Sequence, residues 1–304
     1  KKRPFGKLRL GVSTGFSILY DTESQLDRDF DRAKALRVKQ VRVDIGWALV
    51  QPERDIVDWS RFDAVLDMAK AKRLKVLAVI GLAPEWAQNP DGSPRADAFA
   101  DFVDAAVRRY KFKVANWELW NEPNQRHRWV GEPDPAEYAR IVEAGSAPIR
   151  RHDPKAKILM GSLAPAVDDP GGDELSPETF LRGVYAAGID RSSYDAVSIH
   201  PFSYPALPSG NESWNTFHRI PQIYQIVKNN GDRGKPLWFT EYGARTGSTS
   251  NSVGYQRHKQ LMVDAYRQTK KLPYVQALYF YSLRDASTNR GEPEDNFGLL
   301  RFDG

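Results

Sequence analysis

The chain alternates between short, dense apolar runs and longer stretches in which apolar residues recur at helical spacing. Lys7–Gly15 (KLRLGVSTG) reads as a first strand, β-rich and stopped by glycine. From Asp21, DTESQLDRDFDRAKALRV carries apolar residues at Leu26, Phe30, Ala33 and Leu36–Val38, which predicts a helix. Gln40–Trp47 is a second strand and Trp59–Leu74 a second helix. Lys75–Gly81 (KVLAVIG) is almost wholly apolar, as a strand covered on both faces should be. A helix over Ala96–Tyr110 then leads to a fourth strand, Val114 onward, running into Asn121-Glu122-Pro123. Proline cannot donate to a ladder, so Pro123 marks the stop.

The alternation continues. Pro135–Arg151 is helical, with Pro135 in the first turn where a missing N–H is harmless. Lys157–Leu163 is a fifth strand, Ser176–Ala187 a helix, and Asp195–Pro201 a sixth strand. Ser213–Asn230 is a helix expected to break near Pro221. The seventh strand ends at Glu241, Val253–Lys271 is a helix, and Val275–Leu283 an eighth strand. Eight strands alternating with seven helices predict the α/β class and a (β/α)8 TIM barrel, one domain over residues 1–304. A doubly wound sheet lacks its glycine-rich phosphate loop after strand one.

Only Asp285–Gly304 follow strand eight, so the closing eighth helix is expected to be short or missing. Leu278 and Phe280 alternate with Tyr279 and Tyr281, so if the tyrosines face inward the other pair needs a cover. The apolar tail Phe297–Phe302 (FGLLRF), folding back across the seam between strands eight and one, is the expected cover, and a second copy docking there is its rival.

Composition narrows the partners. No apolar run approaches the length that spans a bilayer, so no membrane is expected. The formal charge of +5 is spread among acidic residues, without the clustered basic and aromatic footprint of a nucleic-acid binder. Cysteine is absent, which removes disulfides and thiol chemistry and fits cytoplasm or export equally. The chain begins Lys-Lys-Arg-Pro rather than Met, as expected of a trimmed fragment. The compartment stays open, with a secreted or periplasmic one placed ahead of the cytoplasm, and a monomer is expected. His127, His152, His218 and His258 show no metal-ligand spacing, so neither a metal nor a cofactor is expected.

In barrels of this kind the working groups gather at the C-terminal ends of the strands. Those ends supply Arg42, Asp44 and Trp47; Pro84, Glu85 and Trp86; Asn121 and Glu122; His200, Phe202 and Tyr204; Glu241 and Tyr242; and Tyr279, Tyr281, Arg284 and Asp285. Two strand-ending glutamates with an arginine, a histidine, an amide and aromatic rings form a sugar-cleaving inventory. Glycosidic hydrolysis needs one carboxylic acid to protonate the leaving oxygen and a carboxylate across the anomeric carbon. Aromatic faces suit the C–H faces of pyranose rings. Trp47, Trp86 and Trp129 are candidate sugar contacts and equally candidates for plain packing. Glu118, inside the strand, is expected to pair with a buried base such as Arg42.

Trp-Asn-Glu-Pro after strand four, with Thr-Glu-Tyr-Gly after strand seven, resembles the clan A glycoside hydrolases, retaining enzymes built on (β/α)8 barrels. The resemblance is closest to family 39 and family 5 members, helped by VRVDIGWALVQPERDIVDWSRFDAVLDMA and LYFYSLRD, and runs from strand one to strand eight. It implies that Glu122 is the general acid/base and Glu241 the nucleophile. It implies that Asn121 bonds the sugar 2-hydroxyl, that Arg42 lies beside Glu241, and that His200 helps orient the nucleophile, with Tyr204 the second candidate for that role. Tyr281 falls where many clan members carry tryptophan under the sugar.

The expected substrate is a β-linked polysaccharide or oligosaccharide. The βα loops after strands five and seven, read as short, favour internal cleavage of a chain. A β-xylosidase- or β-glucosidase-type exo enzyme and a catalytically weak carbohydrate-binding barrel are the alternatives. Retention requires the two carboxyls about 5–5.5 Å apart. Arg42 should keep Glu241 ionised, while Glu122 holds its proton to higher pH.

Overall fold

The computed structural model describes residues 3–303. Eight parallel strands close into a barrel in sequence order, each hydrogen-bonded to its neighbours and β8 to β1. In chain order the elements are β1 (Arg9–Ser13), α1 (Glu23–Ala35), β2 (Gln40–Gly46), the single turn α2 (Trp47–Val50), α3 (Ser60–Ala71), β3 (Lys75–Gly81), α4 (Ala96–Tyr110) and β4 (Val114–Leu119). The turn α5 (Arg126–Trp129), α6 (Pro135–His152), β5 (Lys157–Leu163), α7 (Pro177–Ala186), β6 (Ala196–Ile199), α8 (Thr216–Asn229), β7 (Leu237–Tyr242), α9 (Tyr255–Lys271) and β8 (Val275–Tyr281) complete it. The predicted bounds of β3, α4 and β5 coincide with those observed. These are the segments whose apolar pattern is least interrupted.

Local chemistry fixes the helix starts. Thr22 and Gln25 form a reciprocal capping box on α1, and Asp134 accepts from the backbone of Ala136 and Glu137 ahead of Pro135. The break expected in α8 is absent. Pro221 sits inside a continuous helix, leaving the Phe217 carbonyl without its helical donor. The buried face formed by Phe217, Ile220, Ile223, Tyr224 and Val227 outweighs that loss.

Two packed layers result. The helices bury their apolar stripes against the outside of the barrel, forming one continuous core cluster. The lower interior is filled by Leu77, Leu159, Ala196, Trp238, Ala277 and Tyr279. Tyr279 donates to Gln40 Oε1 at 2.8 Å, so its hydroxyl is satisfied inside the barrel. Tyr279 and Tyr281 do face inward, and Leu278 faces the outer core, fully buried.

Among the described residues only the 3-10 turn Pro293–Asn296 follows β8. The tail folds back, but its place differs from the expectation. It pairs with the chain just beyond β8 rather than lying across the β8–β1 seam: Ser282 donates to the Phe297 carbonyl at 3.0 Å and Asp285 to Leu300 at 2.9 Å. Phe297 ends up 4% exposed, edge-on to Tyr281 at the top of the barrel. The seam is tied instead by Leu283, which donates to Ser13, and by Arg284, which reaches Asp29 of α1 and Asp21 ahead of it, all within 3.0 Å. Gly304, the last residue of the chain, lies outside the described residues.

Candidate active site

The site is built at the upper end of the barrel, where β4 stops earlier than its sequence suggests. Regular pairing ends at Leu119, and Trp120 and Glu122 both take left-handed backbone, at φ 73° and 54°. Such conformations cost about 1–3 kcal/mol each for a non-glycine residue and persist where surroundings enforce them. Here the enforcement is visible. Trp120 N–H donates to Ile80 and Glu122 N–H to Ser162, while the Trp120 indole donates to the Arg128 carbonyl and packs on Phe99 and Trp129. The turn carries the Glu122 carboxylate into the barrel mouth.

Beneath lies Arg42, wholly buried, with every arm of its fork engaged. Its Nε donates to Glu118 Oε2 at 2.7 Å, Nη2 to Asn121 Oδ1 at 2.7 Å, and Nη1 to Glu241 Oε1. Asp44 Oδ1 lies 3.5 Å from the same Nη1. Glu118 is thus the partner of the buried base, as expected. Asn121 Oδ1 also accepts from Ser162 Oγ at 3.2 Å, which leaves its amide nitrogen for the cavity.

His200 joins the two glutamates. Its Nδ1 is 2.9 Å from Glu122 Oε1 and 3.7 Å from Glu241 Oε2, and the ring is fully buried. Two oxygens that close to one nitrogen are at most 6.6 Å apart (2.9 plus 3.7). A cavity of about 380 Å³ opens above, lined by both glutamates, Asp44, Asn121, Tyr204 and Tyr281. Tyr204 accepts at its hydroxyl from Arg245 Nη2 at 2.7 Å and Nε at 3.0 Å, which holds its ring at the wall.

The charge balance runs opposite to the expectation. Burial pushes the Glu241 carboxyl up to about 7; His200 and Arg42 oppose the rise, and Glu122 and Asp44 add to it. Burial acts on Glu122 in the same direction. The hydrogen bond and electrostatic interaction with His200, together with the positive charges of Arg128 and Arg42, outweigh it and hold Glu122 below the usual carboxylate range. Arg42 beside Glu241 is countered by His200 and by Arg128 at Glu122, the Arg128 Nε lying 3.3 Å from Glu122 Oε2.

Three expected sugar contacts do not reach the cavity. Trp47 is fully buried, stacked on Phe102 and edge-on to Trp86. Trp129 is 1% exposed between Trp120 and Tyr138. Trp86 is partly buried, its indole donating to the Gln51 carbonyl and its ring facing Arg54. The indoles of Trp47 and Trp129 fill gaps between the barrel and its helices, where the apolar area is worth more than at the rim. Trp47→Phe is therefore expected to lower stability by about 1–3 kcal/mol while leaving KM within twofold. Thermal unfolding beside steady-state kinetics checks it.

Conversely, the cavity wall includes Phe16, Arg128, Phe202, Trp214, Glu294 and Phe297. Asp44 and Phe202 stood among the strand ends but were not singled out as site residues. Trp214, a lone tryptophan in a polar loop, was a usable signal. Arg128, Glu294 and Phe297 carried none, because loop and tail folding alone brings them there.

The sequence model of the cellulase family (glycosyl hydrolase family 5) matches residues 7–279. No curated protein matches the chain. Among solved structures, a family 39 glycoside hydrolase from the gut symbiont Bacteroides cellulosilyticus WH2 superposes with a TM-score of 0.77 at 21% identity, covering 99% of this chain and 61% of that one. A monomeric β-xylosidase from Caulobacter crescentus CB15 gives 0.67 at 21% identity, over 100% and 66%. A GH5_18 protein from Streptomyces cattleya in complex with GlcNAc gives 0.73 at 17%, over 98% and 76%. The chain thus spans less than two thirds of the first two of these proteins, and the likeness at such identities is one of fold.

Proposed function

The chain belongs to the cellulase family, glycosyl hydrolase family 5, and on that premise we propose that it is a retaining glycoside hydrolase acting on β-linked sugars. The observation that carries this reading is the pair Glu122 and Glu241, held by one His200 nitrogen over the buried Arg42. Their oxygens lie at most 6.6 Å apart, which supports the retaining spacing of about 5–5.5 Å over most of the inverting range of about 6.5–9.5 Å.

Glu241 attacks the anomeric carbon as the glycosidic C–O bond breaks, and Glu122 gives its proton to the departing oxygen. A glycosyl ester on Glu241 results. Glu122, now ionised, takes a proton from water, whose oxygen attacks the anomeric carbon and returns Glu241 as carboxylate. Arg42 stabilises that carboxylate, and the free amide nitrogen of Asn121 faces the ring, where a 2-hydroxyl would accept from it.

One proton is shared by the two glutamates, and the pair titrates as a unit. In the empty site the balance places it on Glu241; the productive form has it on Glu122, with His200 in contact with both. The active species is the singly protonated pair in either case. Activity is therefore expected to fall as pH rises through about 7, where that proton is lost. It falls again below the ordinary carboxylate range, where Glu122 also takes a proton and no nucleophile remains. With an aryl glycoside whose leaving group needs no acid help, Glu122→Gln should abolish the alkaline limb. A limb that persists in this variant would assign the acid to another group.

The loops after β5 and β7 are not short: 164–176 and 243–254 hold 13 and 12 residues. The basis for an open cleft is thereby removed. Phe16, Arg128, Pro165, Trp214 and Phe297, from the loops after β1, β4, β5, β6 and β8, all border the cavity. This supports attack at a chain end over internal cleavage. A panel of aryl β-glycosides tests the activity, and a time course on reduced oligosaccharides tests the mode. Monosaccharides as first products support the chain-end reading; a spread of oligosaccharides supports internal cleavage.

A further inference from the structure

Asp44 is a third carboxylate at the site, and neither step of the double displacement uses it. It follows Arg42 by two residues on β2, so both side chains point into the barrel. It is 8% exposed and lines the main cavity, together with a smaller hollow of about 60 Å³ that shares Phe16, Asn121 and Arg128 with it. Among the described residues no hydrogen bond reaches either of its oxygens. Its one ion-pair partner is Arg42 Nη1 at 3.5 Å, a nitrogen that already donates to Glu241. Burial pushes its carboxyl up, with Arg42 opposing the rise.

A carboxylate that is nine-tenths buried and unbonded is costly, and native structures rarely keep one without use. A structural role would place at least one of its oxygens on a donor of the protein, as Glu118 Oε2 is placed on Arg42 Nε while Glu118 Oε1 stays buried without a partner. Asp44 instead turns its acceptors toward the space beside the Glu241 carboxylate. An ionised aspartate only accepts, and hydroxyl groups are the donors a neutral sugar ring offers.

Resting on the reading of Glu241 as nucleophile, we propose that Asp44 binds hydroxyl groups of the sugar ring whose anomeric carbon meets Glu241, and so selects the glycone. A neutral ring with free hydroxyls fits this acceptor. A ring bearing a carboxylate or sulfate there is repelled. Asp44 therefore adds glycone selection to the catalytic pair.

The test uses 4-nitrophenyl β-glycosides of glucose, xylose, mannose and galactose to find the best glycone, followed by its 3-deoxy and 4-deoxy analogues. Wild type should prefer the full glycone over at least one deoxy analogue by about 10- to 150-fold in kcat/KM, the equivalent of one charge-assisted hydrogen bond. In Asp44→Ala that ratio should collapse to within about threefold, and Asp44→Asn, which keeps one acceptor oxygen, should fall between. The Tm of Asp44→Ala should stay level or rise, because an unbonded buried charge is removed. An unchanged deoxy ratio in Asp44→Ala, or equal loss on every substrate with a lowered Tm, overturns the assignment while leaving the hydrolase reading intact. Failure of wild type on all four glycosides overturns that reading and the assignment with it.

Discussion

Glu241→Ala should reduce turnover of an activated aryl β-glycoside by about 10⁴-fold or more, since it removes the group that forms the covalent bond. Fold and ligand binding should survive, because Arg42 keeps its bonds to Glu118 and Asn121. Azide fits the space vacated by the carboxylate and should restore product, as a glycosyl azide of inverted configuration. Intact activity in the variant would remove Glu241 from the mechanism. Rescue giving a retained product would place the nucleophile elsewhere. Circular dichroism and the Tm of the variant distinguish lost chemistry from lost structure.

The second large effect is on stability. Arg42 is wholly buried and faces Glu118, Glu241 and Asp44. Arg42→Met keeps volume and removes the one guanidinium that all three carboxylates share. Breaking a buried pair in this way costs about 3–5 kcal/mol. A large domain loses about 2–4 °C of Tm per kcal/mol, so a fall of the order of 10 °C is expected. Adding Glu118→Gln removes the deepest uncompensated carboxylate, fully buried at the floor of the site. The double variant should recover part of the lost Tm and none of the activity, because Glu241 still lacks its partner. A double variant no more stable than Arg42→Met would show that the strand-four glutamate is not where the cost resides.

Much of this architecture was legible in the chain. The barrel followed from eight apolar runs interleaved with helical spacing, and the closest matches, β3, α4 and β5, are where that contrast is cleanest. Arg42, Asn121, Glu122, His200, Tyr204, Glu241 and Tyr281 could be gathered because strand ends of one barrel converge on one mouth. They are together there.

What escaped has physical causes. A strand pattern cannot show that Trp120 and Glu122 turn left-handed, because that turn is imposed by Ile80, Ser162 and the packed indole. Tryptophan at a strand end reads alike whether it faces sugar or helix. Trp47 and Trp129 went to the helices because their neighbours Phe102, Trp120 and Tyr138 leave gaps of that shape. Pro221 was overruled by a buried helix face. The proton order of the two glutamates depends on His200 and Arg128 approaching Glu122 from separate loops. No spacing in the chain encodes that approach. Asp44, in contrast, was readable two residues after Arg42 on the same strand face; that no described residue hydrogen-bonds its oxygens, and only Arg42 approaches as an ion-pair partner, emerges only in three dimensions.

The covalent double displacement through Glu241 is tested most directly by proton NMR of the first sugar released from the best aryl β-glycoside. Spectra should be recorded before mutarotation equilibrates the anomers. The β anomer should appear first, with the α anomer growing in later at the spontaneous rate. An α anomer appearing first would mean a single displacement by water, and would contradict both the covalent intermediate and the role given to Glu241.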